Sequence, residues 1–220
     1  MQLNSEKTSL PLRNVRVIEL GSLVAAPYSG ALFAQFGAEV IKIEPPEIGD
    51  PLRKWRKLHK GTSYWWYTQN RNKKSITLNL KSQRARDIVL KLVRQADVVI
   101  ENFRPGTLEG WGLGWSDLSA VNPSLVMLRI SGYGQTGPYR DKPGFAAVAE
   151  AIGGLRYVTG FPDRPPVRSG VSLGGTLASL YGTVGALIAL HNVRSNRGVG
   201  QYIDAALYES VFSVMESLVP

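Results

Sequence analysis

The chain has no cysteine and only two histidines, His59 and His191, in 220 residues. The first absence excludes disulfides and any thiolate-based zinc or redox site. Two isolated histidines leave no cluster for a metal centre, so no metal is expected. A reducing intracellular compartment such as the cytoplasm suits a chain of this kind. Long apolar runs are missing as well. Residues 176 to 190 are the most apolar stretch, but Thr176, Ser179, Tyr181 and Thr183 interrupt it, and it falls short of the roughly 20 residues that span a bilayer. A buried helix is expected there, and no membrane association. The opening MQLNSEKTSLPLRN has no apolar core, so residues 1 to 14 read as a polar lead-in, not a secretory signal, to one domain over 15 to 220. Nucleotide fingerprints are lacking too. The first apolar run is followed by GSLVAAP instead of G-x-G-x-x-G, and no Walker A sequence occurs.

Acid is scarce in one place. Between Arg53 and Arg94 thirteen Lys and Arg stand against a single acid, Asp87, in a chain of net charge +9. Such a segment is either a solvated basic surface or a steering field for an anionic partner. Tyr64, Trp65, Trp66 and Tyr67 could stack on bases, but no nucleic-acid module accompanies them. The same residues can serve a phosphorylated small molecule, and no nucleic acid is expected as partner.

What is present is an alternation. VRVIEL (15 to 20) is a β-rich run, Pro27 suits the first turn of a helix reaching Phe36, and EVIKIE (39 to 44) is the next strand. After an irregular stretch come SITLNL (75 to 80) as strand, a helix capped by Ser82 and reaching Gln95, DVVIE (97 to 101) as strand, a short helix capped by Ser116, and LVMLRIS (125 to 131) as strand. Strands alternating with helices predict an α/β fold, a Rossmann-like, doubly wound, mostly parallel sheet. Ligands bind such sheets beyond the carboxyl ends of the strands, which nominates the loops Gly21 to Ala26, Leu78 to Lys81, Asn102 to Gly106 and Gly132 to Pro138.

Further on, 145 to 157 and 176 to 193 read as helices, QYIDAAL as a strand, and YESVFSVMESLVP as a helix running to the end of the chain. In the helix 176 to 193, Leu177, Leu180, Tyr181, Val184, Leu187, Ile188 and His191 share one face. Ala178, Gly182, Gly185 and Ala189 allow close approach on the others. Just ahead of it stand two glycines, Gly174 and Gly175. They could permit a sharp bend or close packing, leave bare amides for an anion at a helix N-terminus, or mark the place of a missing side chain.

Several stretches carry a family resemblance: LRNVRVIELGSLVAAPYSGALFAQFGAEVIKIEPP, NRNKKSITLNLKS, ADVVIENFRPGTLEGWGL, NPSLVMLRISGYGQTGPYRDKPGF and GQYIDAALYES. Together they resemble the family III CoA-transferases, the group of formyl-CoA transferase and the carnitine CoA-transferases, in the family's order over nearly the whole chain. A related racemase group usually has His-Asp where this chain has Phe145 and Ala146, which favours the transferases. The resemblance implies that 15 to 220 is the N-terminal part of the family's large domain. It implies coenzyme A or an acyl-CoA as substrate, exchanged with a small carboxylic acid. CoA would be held at Val24 and Ala25, at Leu78, Asn79, Leu80 and Lys81, and at Asn102, Phe103 and Arg104, while Pro45 replaces an arginine of the family.

The family's nucleophile is an aspartate that attacks the thioester, giving a mixed anhydride and then an aspartyl-CoA thioester. Its position here is Gly175, and Ala146 stands where the family usually has a second acid. Asp141, Glu150 and Asp163 lie nearby in sequence without occupying the nucleophile's place. Members of the family are about as long again and form interlocked dimers. A homodimer or a complementing C-terminal half is therefore expected as partner, and the alternative to an enzyme is an inactive CoA-binding or scaffold remnant.

Overall fold

The computed structural model describes residues 10–196 and 198–218; the first nine residues of the expected lead-in lie outside them. The main chain alternates as the hydrophobic pattern requires. Strand β1 (Arg16–Glu19), helix α1 (Ala25–Gln35) and strand β2 (Glu39–Glu44) make the first unit. A 3-10 turn (Pro51–Lys54), a two-stranded hairpin of β3 (Leu58–His59) and β4 (Thr62–Ser63), and α2 (Tyr64–Asn70) fill the irregular stretch. Then follow β5 (Lys73–Thr77), α3 (Gln83–Val93), β6 (Val98–Glu101), α4 (Thr107–Gly110), α5 (Trp115–Val121), β7 (Val126–Ser131), α6 (Ala146–Ile152), α7 (Leu173–Asn196), β8 (Tyr202–Ala206) and α8 (Leu207–Phe212).

Six strands form one parallel sheet in the order β5-β2-β1-β6-β7-β8, the doubly wound arrangement that the alternation implies. Side chains alternate between two cores, as a sheet covered on both faces demands. Val17, Val98, Ile100, Val126 and Leu128 face α1, α6, α7 and α8, while Ile18, Val99 and Met127 face α3, α4 and α5. Register follows the same logic, with Val17 opposite Val40 and Val98.

Several boundaries differ from the sequence reading, each for a local reason. The third sheet strand lies two to three residues earlier than SITLNL, because Lys73 and Lys74 pair in register with Val40 and Ile41. Ser82 caps α3 as expected, accepting the Ala85 N–H at 3.2 Å. Ser116 does not cap α5. Gly114 occupies that position and Asp117 accepts its N–H at 3.1 Å, so the acid three residues on does the capping. The helix expected over 145 to 157 ends at Ile152, and the last helix ends at Phe212, before the chain turns back through Met215.

Helix α7 departs most from expectation. It is 24 residues long and starts at Leu173, so Gly174 and Gly175 lie inside its first turn. Its length and apolarity would suffice to cross a membrane, which removes the length argument made above. The buried side is the small-residue one: Ala178, Ser179, Ala186 and Ala189 are all but inaccessible beneath the helix, Ser179 donating to Ala25 and accepting from Ser29, both of α1. A Cβ on Gly182 would stand 2.7 Å from Leu128 Cδ1, so only glycine lets the helix come this close. The large apolar face, with Leu180, Tyr181, Val184 and Ile188, is exposed.

Candidate functional site

Strands β1 and β6 are neighbours whose crossovers leave on opposite faces of the sheet, and the crevice between their carboxyl ends is the switch point. Asn102, directly after β6, bridges it. Its Oδ1 accepts the Ser22 N–H at 2.9 Å and its Nδ2 donates to the Ser22 carbonyl at 2.8 Å. The next residue of the loop, Leu23, has φ of 65°, an uncommon conformation for a branched side chain. Both carboxylate oxygens of Asp50 accept its N–H, at 3.0 and 3.2 Å.

Asp50 belongs to a buried ionic group beneath the loop. Lys42 Nζ lies 2.7 Å from Glu19 Oε1 and 2.9 Å from Asp50 Oδ2, and donates to the Gly21 carbonyl at 2.8 Å. Lys73 Nζ lies 2.7 Å from Glu19 Oε2 and donates to the Pro27 carbonyl at 2.7 Å. Burial alone would raise the Glu19 carboxyl, but Lys42 and Lys73 together hold it below the usual carboxylate range.

Above this support opens a cavity of about 590 Å³. Of the sequence-nominated residues, Val24, Ala25, Asn102, Phe103, Arg104 and Gly175 line it. Leu78, Asn79, Leu80 and Lys81 do not: they follow β5 at the edge of the sheet, with Asn79 and Lys81 exposed and Leu78 and Leu80 packed on the second core. Trp55, Arg56, Arg140, Lys142, Arg168 and Ser172 also line the cavity and were not singled out from the sequence. Arg168 and Ser172 share a short segment with Gly175, the one sequence signal that could have found them. Of the loop Gly132 to Pro138 only Gly132 reaches the cavity.

The lining contains five cationic side chains, Arg56, Arg104, Arg140, Lys142 and Arg168, and no Asp or Glu. Such a concave, one-signed lining concentrates an anion. The basic segment 53 to 94 is not its source, apart from Arg56. Arg53 is held by Glu44 at 2.8 Å, Lys74 by Glu39 at 2.6 Å and Lys73 by Glu19, so acids on β1 and β2 pair three of its thirteen cations, and of the segment's Lys and Arg only Arg56 lines the cavity. The aromatic run is engaged likewise, with Arg53 3.7 Å from the Trp66 ring centre and Arg56 4.5 Å from that of Trp65.

Gly175 is not a bend. Neither it nor Gly174 has a left-handed φ, and a Cβ on Gly175 would meet only Val24, at 3.3 Å from Cγ1. A side chain fits there if Val24 yields by a few tenths of an ångström. Ala146 lies close by, since a Cβ on Gly174 would stand 3.2 Å from its carbonyl oxygen.

On the other side of the switch point, Glu101 accepts the Phe103 N–H at 2.7 Å and Arg129 Nε at 2.8 Å, while Glu109 takes the rest of the same guanidinium. Burial lifts the Glu101 carboxyl to about 7, outweighing Arg129 and the Phe103 amide. A raised carboxyl is more stable protonated in the folded chain. Stability from this group is therefore complete below the unfolded value near 4.5 and falls as pH rises through about 7. The shift corresponds to about 3 kcal/mol. Urea titrations should show this decline in the parent and its absence in Glu101→Gln; identical pH profiles would contradict the assignment.

Fold and cavity define a doubly wound α/β protein with a cationic site at its switch point. The chain belongs to CoA-transferase family III, whose model matches residues 12–220. Among curated relatives, a succinyl-CoA–D-citramalate CoA-transferase of Chloroflexus aurantiacus is 54% identical over 99% of this chain and 54% of its own length. The beta subunit of a succinyl-CoA–L-malate CoA-transferase from the same organism is 49% identical over 99% of this chain and 54% of its own. The crystal structure of a CAIB/BAIF family protein from Brucella suis superposes with a TM-score of 0.90 at 37% identity, covering 95% of this chain and 56% of that one. The chain thus spans about half the length of the curated relatives it matches.

Proposed function

We propose that this chain is the CoA-binding half of a family III CoA-transferase that moves CoA between an acyl-CoA and a small carboxylic acid. The observation that carries the proposal is the cavity at the switch point, with five cations, no acid and Gly175 in its wall. CoA presents a diphosphate and a 3'-phosphate, for which Arg104 and Arg56 are charge-assisted donors; Trp55 and Phe103 supply apolar and aromatic wall. The exposed loop Leu78 to Lys81 would meet the nucleotide end where the ligand leaves the cavity.

In this reading Gly175 holds the place of the nucleophilic aspartate, so the chain binds CoA thioesters and performs no acyl transfer by itself. A bound but unreactive CoA protein is the second reading, favoured by the same glycine. The exposed apolar face of α7 supports a partner that covers it, either a second copy or a complementing half. Calorimetry with CoA, and an acyl-transfer assay on the same preparation, test the proposal. Arg104→Ala is expected to weaken CoA binding by at least several-fold, a charge-assisted contact being worth about 1.5 to 3 kcal/mol before solvent screening. Lys81→Ala, outside the cavity, is expected to do less. A folded chain that binds no CoA at millimolar ligand would overturn the reading.

A further inference from the structure

Three cations of the cavity stand on the segments that lead to its Gly175 wall: Arg140 and Lys142, which run into Gly144 to Ala147, and Arg168, which runs into Ser172 and Gly175. Two of them are engaged. Arg140 Nε lies 3.3 Å from Asp141, and Lys142 Nζ lies 3.7 Å from the Tyr139 ring centre. Arg168 differs. Among the described residues it makes no hydrogen bond, and its one charged neighbour is Glu150, whose Oε2 is 3.8 Å from its Nε.

Glu150 itself is inaccessible to solvent, and both its carboxylate oxygens lack a hydrogen-bond partner. A buried carboxylate without hydrogen bonds is unfavourable unless a nearby cation compensates it, and Arg168 is the one placed to do so. The attraction holds the guanidinium over the cavity wall while leaving its planar set of N–H donors unused. Such a set matches a carboxylate in two parallel bonds. Glu150 is too deeply buried to act on a ligand, so its part is to position Arg168.

We infer that Arg168 reads a second carboxylate on the acyl group or acceptor, so that the site selects dicarboxylic over monocarboxylic acyl chains. The inference rests on the proposal that the cavity binds CoA thioesters. Its probes are succinyl-CoA and butyryl-CoA, whose acyl chains match in length and differ by a carboxylate against a methyl group. Calorimetry on the chain is expected to find succinyl-CoA bound about tenfold or more tighter. Arg168→Ala should erase that preference, so that succinyl-CoA and butyryl-CoA bind equally to within about twofold. Arg168→Lys should restore part of it, and Glu150→Gln should reduce it without abolishing it.

Arg168→Ala deprives buried Glu150 of its cation, so circular dichroism checks each variant, and the double variant Arg168→Ala with Glu150→Gln, which leaves no uncompensated charge, replaces any that does not fold. Equal binding of the two thioesters by the parent, or a preference that survives Arg168→Ala, overturns the inference and leaves the CoA-binding proposal standing. Failure of the parent to bind either thioester or CoA overturns both.

Discussion

On the proposal that Gly175 holds the place of the family's aspartate, Gly175→Asp is expected to confer formation of an acyl adduct once the C-terminal half of a full-length relative is supplied. The backbone at 175 is ordinary helix, and a Cβ there meets only Val24. Glycine in a helix is about 1 kcal/mol less favourable than alanine but only a few tenths less than Asp, and an acid in the first turn gains a few tenths more from the helix dipole. Against this stands the small displacement of Val24. The variant should therefore fold at least as well as the parent.

The cationic lining keeps the new carboxylate ionised, which a nucleophile needs. It can then attack the thioester carbonyl, forming an anhydride and releasing CoA thiolate, which returns to the aspartyl carbonyl and expels the donor's carboxylate, leaving the aspartyl-CoA thioester. Intact mass spectrometry after hydroxylamine or borohydride trapping reads the adduct. No adduct in the complemented variant would remove Gly175 from the nucleophile's place. An adduct on the parent would assign the chemistry to another residue. If instead two glycines are needed for packing, Gly175→Asp should lose stability, and thermal melts alone separate the two outcomes.

The α/β alternation was legible because the central strands β6 and β7 are buried on both faces. Runs such as VVI and VMLRI have no polar register to confuse them, and Gly37 and Ser82 punctuate their helices. The loops at the carboxyl ends of the strands followed from the alternation, and five of the nine CoA-contact positions inferred from family resemblance fell on the cavity. The cavity's charge was not legible. A count of Lys and Arg pointed to 53 to 94, but of that segment's cations only Arg56 lines the cavity, and Glu19, Glu39 and Glu44 on preceding strands bind Lys73, Lys74 and Arg53. Pairing at such sequence separation leaves no local trace. Arg168 was hidden for the opposite reason: it lies in a Pro-rich stretch without periodicity, and only the fold brings it beside Glu150. The faces of α7 could not be assigned from their side chains alone. Small residues pack against the sheet because Leu128 and Ile203 project into the grooves left by Gly182 and Gly185.

Lys42→Met should be among the most destabilising single substitutions in the chain, by about 3 to 5 kcal/mol. Its side chain is 1% exposed and its ammonium contacts two carboxylates and a carbonyl, so removal leaves Glu19 with Lys73 and, among the described residues, Asp50 without an ion-pair partner. Domains of this kind are stable by about 5 to 15 kcal/mol, so such a loss is a large part of the total. The damage should reach the cavity as well, because Lys42 holds the Gly21 carbonyl and Asp50 holds the Leu23 N–H in its left-handed turn. CoA affinity should therefore fall even at low temperature, where the fold persists. The double variant Lys42→Met with Asp50→Asn removes one charge of each sign and keeps Glu19 with Lys73. It should lose less than the sum of the two single variants, and less than Lys42→Met alone if the uncompensated charge dominates. Urea titrations of the three variants measure the coupling. Strict additivity would show that Lys42 and Asp50 act independently, each through its own contact with the loop.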